Sequence, residues 1–209
     1  MVFMQHLTGR RMPNVDLEAT SGSPVNPARM LGPAVIFCYP FTGRPGYPNP
    51  PNWDHIKGAH GSTPQALAYS EAYGHFRRLG VKLFGLSMLG IEWQREFVAR
   101  NGLTFRLISD HDRAFQSRLG LPMFETGGDL YLQRITFILH DGIISSVRFP
   151  VPEPEKDAVE VLVLAGVGAG CGGVAVGGAH DVLDGVRQGR DVEVTGRTAA
   201  GRAGLMRAK

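Results

Sequence analysis

Residues Gly58–Gly80 read GAHGSTPQALAYSEAYGHFRRLG, a loop that turns into a helix. Leu67, Tyr69, Tyr73, Phe76 and Leu79 recur at roughly helical spacing, and Gly80 is a stop signal. At the turn, Ser62 is followed three residues later by Gln65, a capping-box pattern. Thr63 and Pro64 also favour a helix start. Read by itself, Ser62 caps this helix.

The flanking sequence sets the helix in an alternating series. GPAVIFCYP (Gly32–Pro40) is a short apolar run bounded by Gly and Pro, which predicts a fully buried strand. VKLFGLSM (Val81–Met88) predicts a second. IEWQREFVARNG (Ile91–Gly102) is an amphipathic helix ending at Asn-Gly. FRLISD (Phe105–Asp110) is a third strand, and DRAFQSRLGL (Asp112–Leu121) a further helix. RITFILHDGIISSVRF (Arg134–Phe149) reads as two strands around Asp141-Gly142, a strong hairpin signal. EPEKDAVEVLVL (Glu153–Leu164) closes the series as a helix. Such alternation predicts an α/β layer structure, with parallel strands and an antiparallel edge.

Composition narrows the function classes. The chain has 209 residues, 43% of them hydrophobic and 20% charged, enough for one domain with a sizeable core. Its net charge is +3 and its basic residues form no run, so no nucleic-acid partner is expected. Two cysteines, Cys38 and Cys171, are too few for a disulfide scaffold. The N-terminal stretch lacks the pattern of a secretory signal, and a cytoplasmic, reducing setting is the expectation. The uncharged run Val161–Ala179 has the length of a membrane span, but seven of its nineteen residues are glycine. Each glycine costs a helix about 1 kcal/mol relative to alanine, so no membrane insertion is expected. From Ala165 to Lys209 there is no Phe, Tyr or Trp and there are twelve glycines. Residues 1–164 are therefore read as one domain, and 165–209 as a Gly-rich tail too poor in apolar surface to order itself. GAGCGG (Gly168–Gly173) matches a dinucleotide fingerprint but lacks the strand and good helix that motif needs. No cofactor is expected. The histidines at 55, 60, 75, 111 and 140 lack metal-ligand spacing.

Several segments, in order, resemble the peroxiredoxin (AhpC/TSA) family. They are MPNVDLEAT near the start, AVIFCYP with FTGRPG after it, and GSTPQALAYSEAYGHFRRLGVKLFGLSM. EFVARNGLTFRLISDHDRAFQSRLGLPMF and the arginine-led hairpin RITFILHDGIISSVRFP complete the set, which spans about residues 13 to 164. The resemblance implies a thioredoxin-like mixed sheet flanked by helices. It also implies an antioxidant thiol peroxidase that reduces hydrogen peroxide and alkyl hydroperoxides, with thioredoxin or another thiol reductant as partner. A homodimer is a further expectation of the resemblance.

In that family a cysteine at a helix N-terminus attacks peroxide. The helix end and a nearby arginine lower its pKa, and attack leaves a sulfenic acid. By position, the cysteine falls on Ser62, the arginine on Arg134, and the loop threonine and proline on Thr42 and Pro40. The spacing of these last two departs from the family's proline-to-threonine pattern. A resolving cysteine five residues on would fall on Leu67. A serine hydroxyl ionises far above physiological pH and lacks sulfur's oxidised products, so the chain is expected to be inactive as it stands. Either Ser62 replaces a thiol that the natural chain carries, or the chain is a degenerate member serving as a non-catalytic binding or regulatory protein.

Other residues have plainer readings. A hydrolase pair of Ser62 with His55, His60 or His75 would need an oriented acid that sequence does not reveal. Cys38, inside a buried strand, is read as a core residue rather than a substitute nucleophile. Arg44 is read as a solvated loop residue, and Trp53 and Trp93 as packing residues.

Overall fold

The computed structural model describes residues 4–169. After a 3-10 turn at Met4–Leu7 the elements are β1 (Glu18–Ala19), β2 (Pro33–Cys38), α1 (Ser62–Arg78), β3 (Lys82–Ser87) and α2 (Ile91–Asn101). Then follow β4 (Arg106–Ser109), α3 (Ala114–Leu119), β5 (Met123–Thr126), β6 (Asp129–Leu132), β7 (Ile135–His140), β8 (Ile143–Arg148) and α4 (Pro154–Ala169). Six strands form one sheet in the order β1-β4-β3-β2-β7-β8. β2, β3 and β4 run parallel, while β1, β7 and β8 run antiparallel to their neighbours. This is the thioredoxin-like mixed sheet flanked by helices.

Alternation along β2 builds two cores. Ala34, Ile36 and Cys38 point to one face, where they meet Phe115 and Leu119 of α3 and Met4 and Leu7 of the N-terminal turn. Val35 and Phe37, with Tyr39 just beyond, point to the other face. There they meet Tyr69 and Phe76 of α1, Phe97 of α2 and Val161 of α4. The Phe37 ring stacks on Tyr69 with centroids 4.2 Å apart. Complete burial of such a ring contributes about 2 to 3 kcal/mol.

The β7–β8 turn is as expected: Asp141 and Gly142 have φ of 50° and 71°, the positive values a two-residue hairpin requires. The β5–β6 hairpin was not expected from sequence, although Gly127-Gly128 at its turn is a hairpin signal. α4 extends past the tail boundary placed at 165, and the rest of the Gly-rich segment, with Cys171, lies outside the described residues. Among the described residues no helix is long and apolar enough to cross a membrane.

Sheet register places the site. Cys38 of β2 lies opposite Ile135 of β7. Arg134, immediately before β7, therefore stands at the sheet end from which the loop through Pro40 and Thr42 departs.

Candidate active site

Local structure at Ser62 differs from the capping-box expectation. The N-cap is Gly61, in the left-handed region with φ 101°, and no side chain caps the helix. Ser62 is the first helical residue and is buried. A side chain at Gly61 would be excluded by Pro154, whose Cγ lies 2.3 Å from the place a Cβ would take. The tight approach of the two helix starts, α1 and α4, thus selects glycine as the cap. Gln65 does not reach back to the cap. Its side chain turns inward and joins a hydrogen-bonded network.

Arg134, 4% exposed, converges on this turn. Its Nη1 donates to Gln65 Oε1. Its Nη2 donates to the carbonyl of His60 at 2.9 Å, to Ser62 Oγ at 3.3 Å and weakly to the carbonyl of Gly58 at 3.5 Å. All four acceptors are neutral. Burial, opposed by the fields of Asp157 and Glu155, pushes the guanidinium pKa down to about 10, so it stays charged at neutral pH.

The network behind Arg134 ends on a buried carboxylate. Asp157 of α4 accepts from Gln65 Nε2 (3.0 Å), Tyr69 Oη (2.8 Å), Thr136 Oγ1 (2.7 Å) and Arg148 Nε (2.9 Å). These donors come from α1, β7 and β8. Arg148 also pairs with Glu160. Burial, then the adjacent Asp157 charge, pushes the Tyr69 hydroxyl pKa well up. Such a network is stabilising only when every member is satisfied. Gln65 and Asp157 were not identified as site residues from sequence. Their signal was an acid on the buried face of α4, in line with Val161 one turn on.

Pro40 and Thr42 are both buried, in the loop after β2. The Thr42 carbonyl accepts from Trp93 Nε1 at 2.8 Å, which ties the loop to α2. Arg44 pairs with Glu96 and sits over the rings of Tyr47 and Trp93, and so is held on α2 rather than free in solvent. Trp53 packs among Phe41, Phe124 and Tyr131.

Only three buried side-chain polar atoms among the described residues lack a hydrogen-bond partner: Thr42 Oγ1, Arg134 Nε and Glu96 Oε2. Two of the three belong to residues selected from the sequence as site candidates. Unsatisfied buried donors are uncommon in native proteins, and where they occur they call for a ligand or a function. By helix geometry the first-turn N–H groups of Ser62 and Thr63 also lack intrahelical acceptors. A buried cation beside a helix start makes a site for negative charge. Among the described residues no group of three or more His, Cys, Asp or Glu is placed to hold a metal.

Cys38 is completely buried within β2. Burial, and then the charge of Asp110, pushes its thiol pKa well up, the opposite of what a nucleophilic thiol needs. Its packing role agrees with the sequence expectation.

The family model described as Redoxin matches residues 7–162. The chain is similar to the chloroplastic peroxiredoxin Q of Sedum lineare, 27% identical over 168 residues, covering 78% of this chain and 80% of that protein. It is similar also to the chloroplastic peroxiredoxin Q of Oryza sativa subsp. japonica, 26% identical over 159 residues, covering 74% of this chain and 64% of that protein. Among solved structures it resembles the bacterioferritin comigratory protein of Xanthomonas campestris, studied for alkyl peroxide reduction. That likeness has a TM-score of 0.60 at 24% identity, over 74% of this chain and 92% of that one. A peroxidoxin of Mycobacterium tuberculosis gives a TM-score of 0.61 at 20% identity, over 78% and 97%. The likenesses among solved structures establish the fold.

Proposed function

Because this chain belongs to the redoxin family, with peroxiredoxins Q among its relatives, we propose that it is a peroxiredoxin scaffold whose thiol-peroxidase chemistry is silent while Ser62 holds the attacking position. The observation that carries this reading is the contact of Arg134 with Ser62 Oγ at the start of α1. A degenerate binding module has no need of a buried guanidinium aimed at that hydroxyl.

With sulfur at position 62, the site would work as follows. The Arg134 charge and the start of α1 favour the thiolate. The thiolate attacks the terminal peroxide oxygen, the O–O bond breaks, and the leaving alkoxide or hydroxide takes a proton. The sulfur becomes a sulfenic acid, which a thiol donor, thioredoxin or another, reduces. Thr42 Oγ1 and Arg134 Nε are the donors left over to hold the peroxide oxygens, and Pro40 helps shield the pocket from water. With oxygen at position 62 there is no thiolate and no sulfenic acid, so the cycle does not start.

The test compares peroxide consumption by the Ser62 chain and by Ser62→Cys, with dithiothreitol as donor and Cys38→Ser as a background control. Rapid turnover by Ser62→Cys alone supports the reading. No turnover in either chain favours the second reading, a non-catalytic thioredoxin-fold binding or regulatory protein, for which Ser62 itself is the supporting observation. Activity in the Ser62 chain that Cys38→Ser abolishes would move the nucleophile to Cys38. We assign the protein to the cytoplasm, although the plant relatives above are chloroplastic. We also propose a homodimer, which sedimentation velocity would detect.

A further inference from the structure

With serine at position 62, Arg134 is a buried cation with no anion of its own. None of the described carboxylates pairs with it, and all its hydrogen bonds go to neutral oxygens. The acids whose charge is felt at Arg134 are Asp157 and Glu155. Asp157 already accepts four hydrogen bonds, including one from Arg148, and reaches Arg134 only through Gln65. The thiolate that would balance the guanidinium is absent from a chain with Ser62.

Arg134 also lines a cavity of about 610 Å³, within the size range of small-molecule pockets. Its walls are mainly apolar, with Phe124, Phe149, Val151 and Pro154 among them. Lys57 adds a positive charge, His60 lines it while paired with Asp54, and no acidic residue is among the lining residues. Gly58 shares the lining, and the 3.5 Å bond from Arg134 to its carbonyl is the weakest the guanidinium makes. That is where a ligand oxygen enters at least cost, beside an Nε that has no partner.

We propose that this cavity binds an aliphatic monocarboxylate, with its head on Arg134 and its chain against Phe124, Phe149 and Val151. A charged head satisfies the arginine, and a methylene chain matches the apolar walls. Inorganic anions satisfy only the first condition and alcohols only the second. The inference shares Arg134 with the peroxidase reading but none of its redox chemistry.

Isothermal titration of the full chain with octanoate, octan-1-ol and acetate tests it. Octanoate is expected to bind one to one, with octanol and acetate each at least about tenfold weaker, the factor that corresponds to 1.4 kcal/mol. Arg134→Gln should weaken octanoate by a similar factor while leaving octanol unchanged. Ile56→Trp, which adds bulk at a lining residue that makes none of the arginine's hydrogen bonds, should abolish binding, and it decides the question if Arg134→Gln does not fold. No octanoate binding, equal binding of octanol, or binding that survives both substitutions would overturn the proposal. Peroxide turnover by Ser62→Cys is measured separately, so a failed cavity and a failed peroxidase reading give different results.

Discussion

On the peroxidase reading proposed above, the oxygen at residue 62 changes the charge balance of the site more than its shape. Ser62 stays buried at the first turn of α1 and still accepts from Arg134. What it cannot do is ionise. The same logic applied to Cys38 gives the opposite result: a sulfur is present, but burial disfavours its thiolate. In the folded chain Cys38 should therefore resist alkylation at pH 8 and react only in denaturant. Peptide-level mass spectrometry after iodoacetamide treatment distinguishes it from Cys171. Gly61 is the other residue with a sharp expectation. Its φ of 101° and the nearness of Pro154 leave no space for a methyl group. Gly61→Ala should lower stability by about 2 kcal/mol or more in a urea titration. A change under about 0.5 kcal/mol, the ordinary range for surface substitutions, would show that the helix starts separate easily.

At the scale of elements, α4 packs Ala158, Val161 and Leu162 into the core shared with α1 and the sheet, and one carboxylate, Asp157, adds the polar link to both. Replacing Asp157 by Asn leaves Arg148 without its buried partner and reverses the hydrogen-bond demand on one oxygen. The expected loss is about 3 kcal/mol. In the Ser62→Cys background it should also slow peroxide turnover, because Gln65 no longer holds Arg134 in place. Unchanged turnover in a folded Asp157→Asn protein would show that Arg134 is positioned without α4. The helix start at Ser62 and the strand start just after Arg134 were legible in the local sequence, while their pairing as site residues came from the family resemblance. The partner of Gln65 was not legible, because it lies 92 residues away and local chemistry offered a cap instead. The β5–β6 ribbon was missed for a related reason. Its strands are four residues each and are held by aromatic rings from distant loops rather than by their own periodicity.

For the whole molecule, one sheet carries two cores, and β2 contributes alternate residues to both. Neither face can lose its packing without exposing a strand the other needs. Ile36→Val on one face and Phe37→Leu on the other should therefore shift the same single unfolding transition, each by about 1 kcal/mol. Far-UV circular dichroism in urea would show it, and two separated transitions would mean that the faces unfold independently. The alternating order of helices and strands made this layering readable in advance, whereas the cavity beside Arg134 depends on where the chain between β8 and α4 folds back. That cavity borders a ring of aromatic side chains around Trp53. Trp53 is almost completely buried, and two of its neighbours, Phe124 and His60, also line the cavity. Because this indole is buried among rings and Trp93 is partly exposed, Trp53 is expected to emit to the blue of Trp93. A ligand seated against Phe124 and His60 would lie one side chain away from that indole, so a shift in Trp53 emission is the expected label-free readout of occupancy.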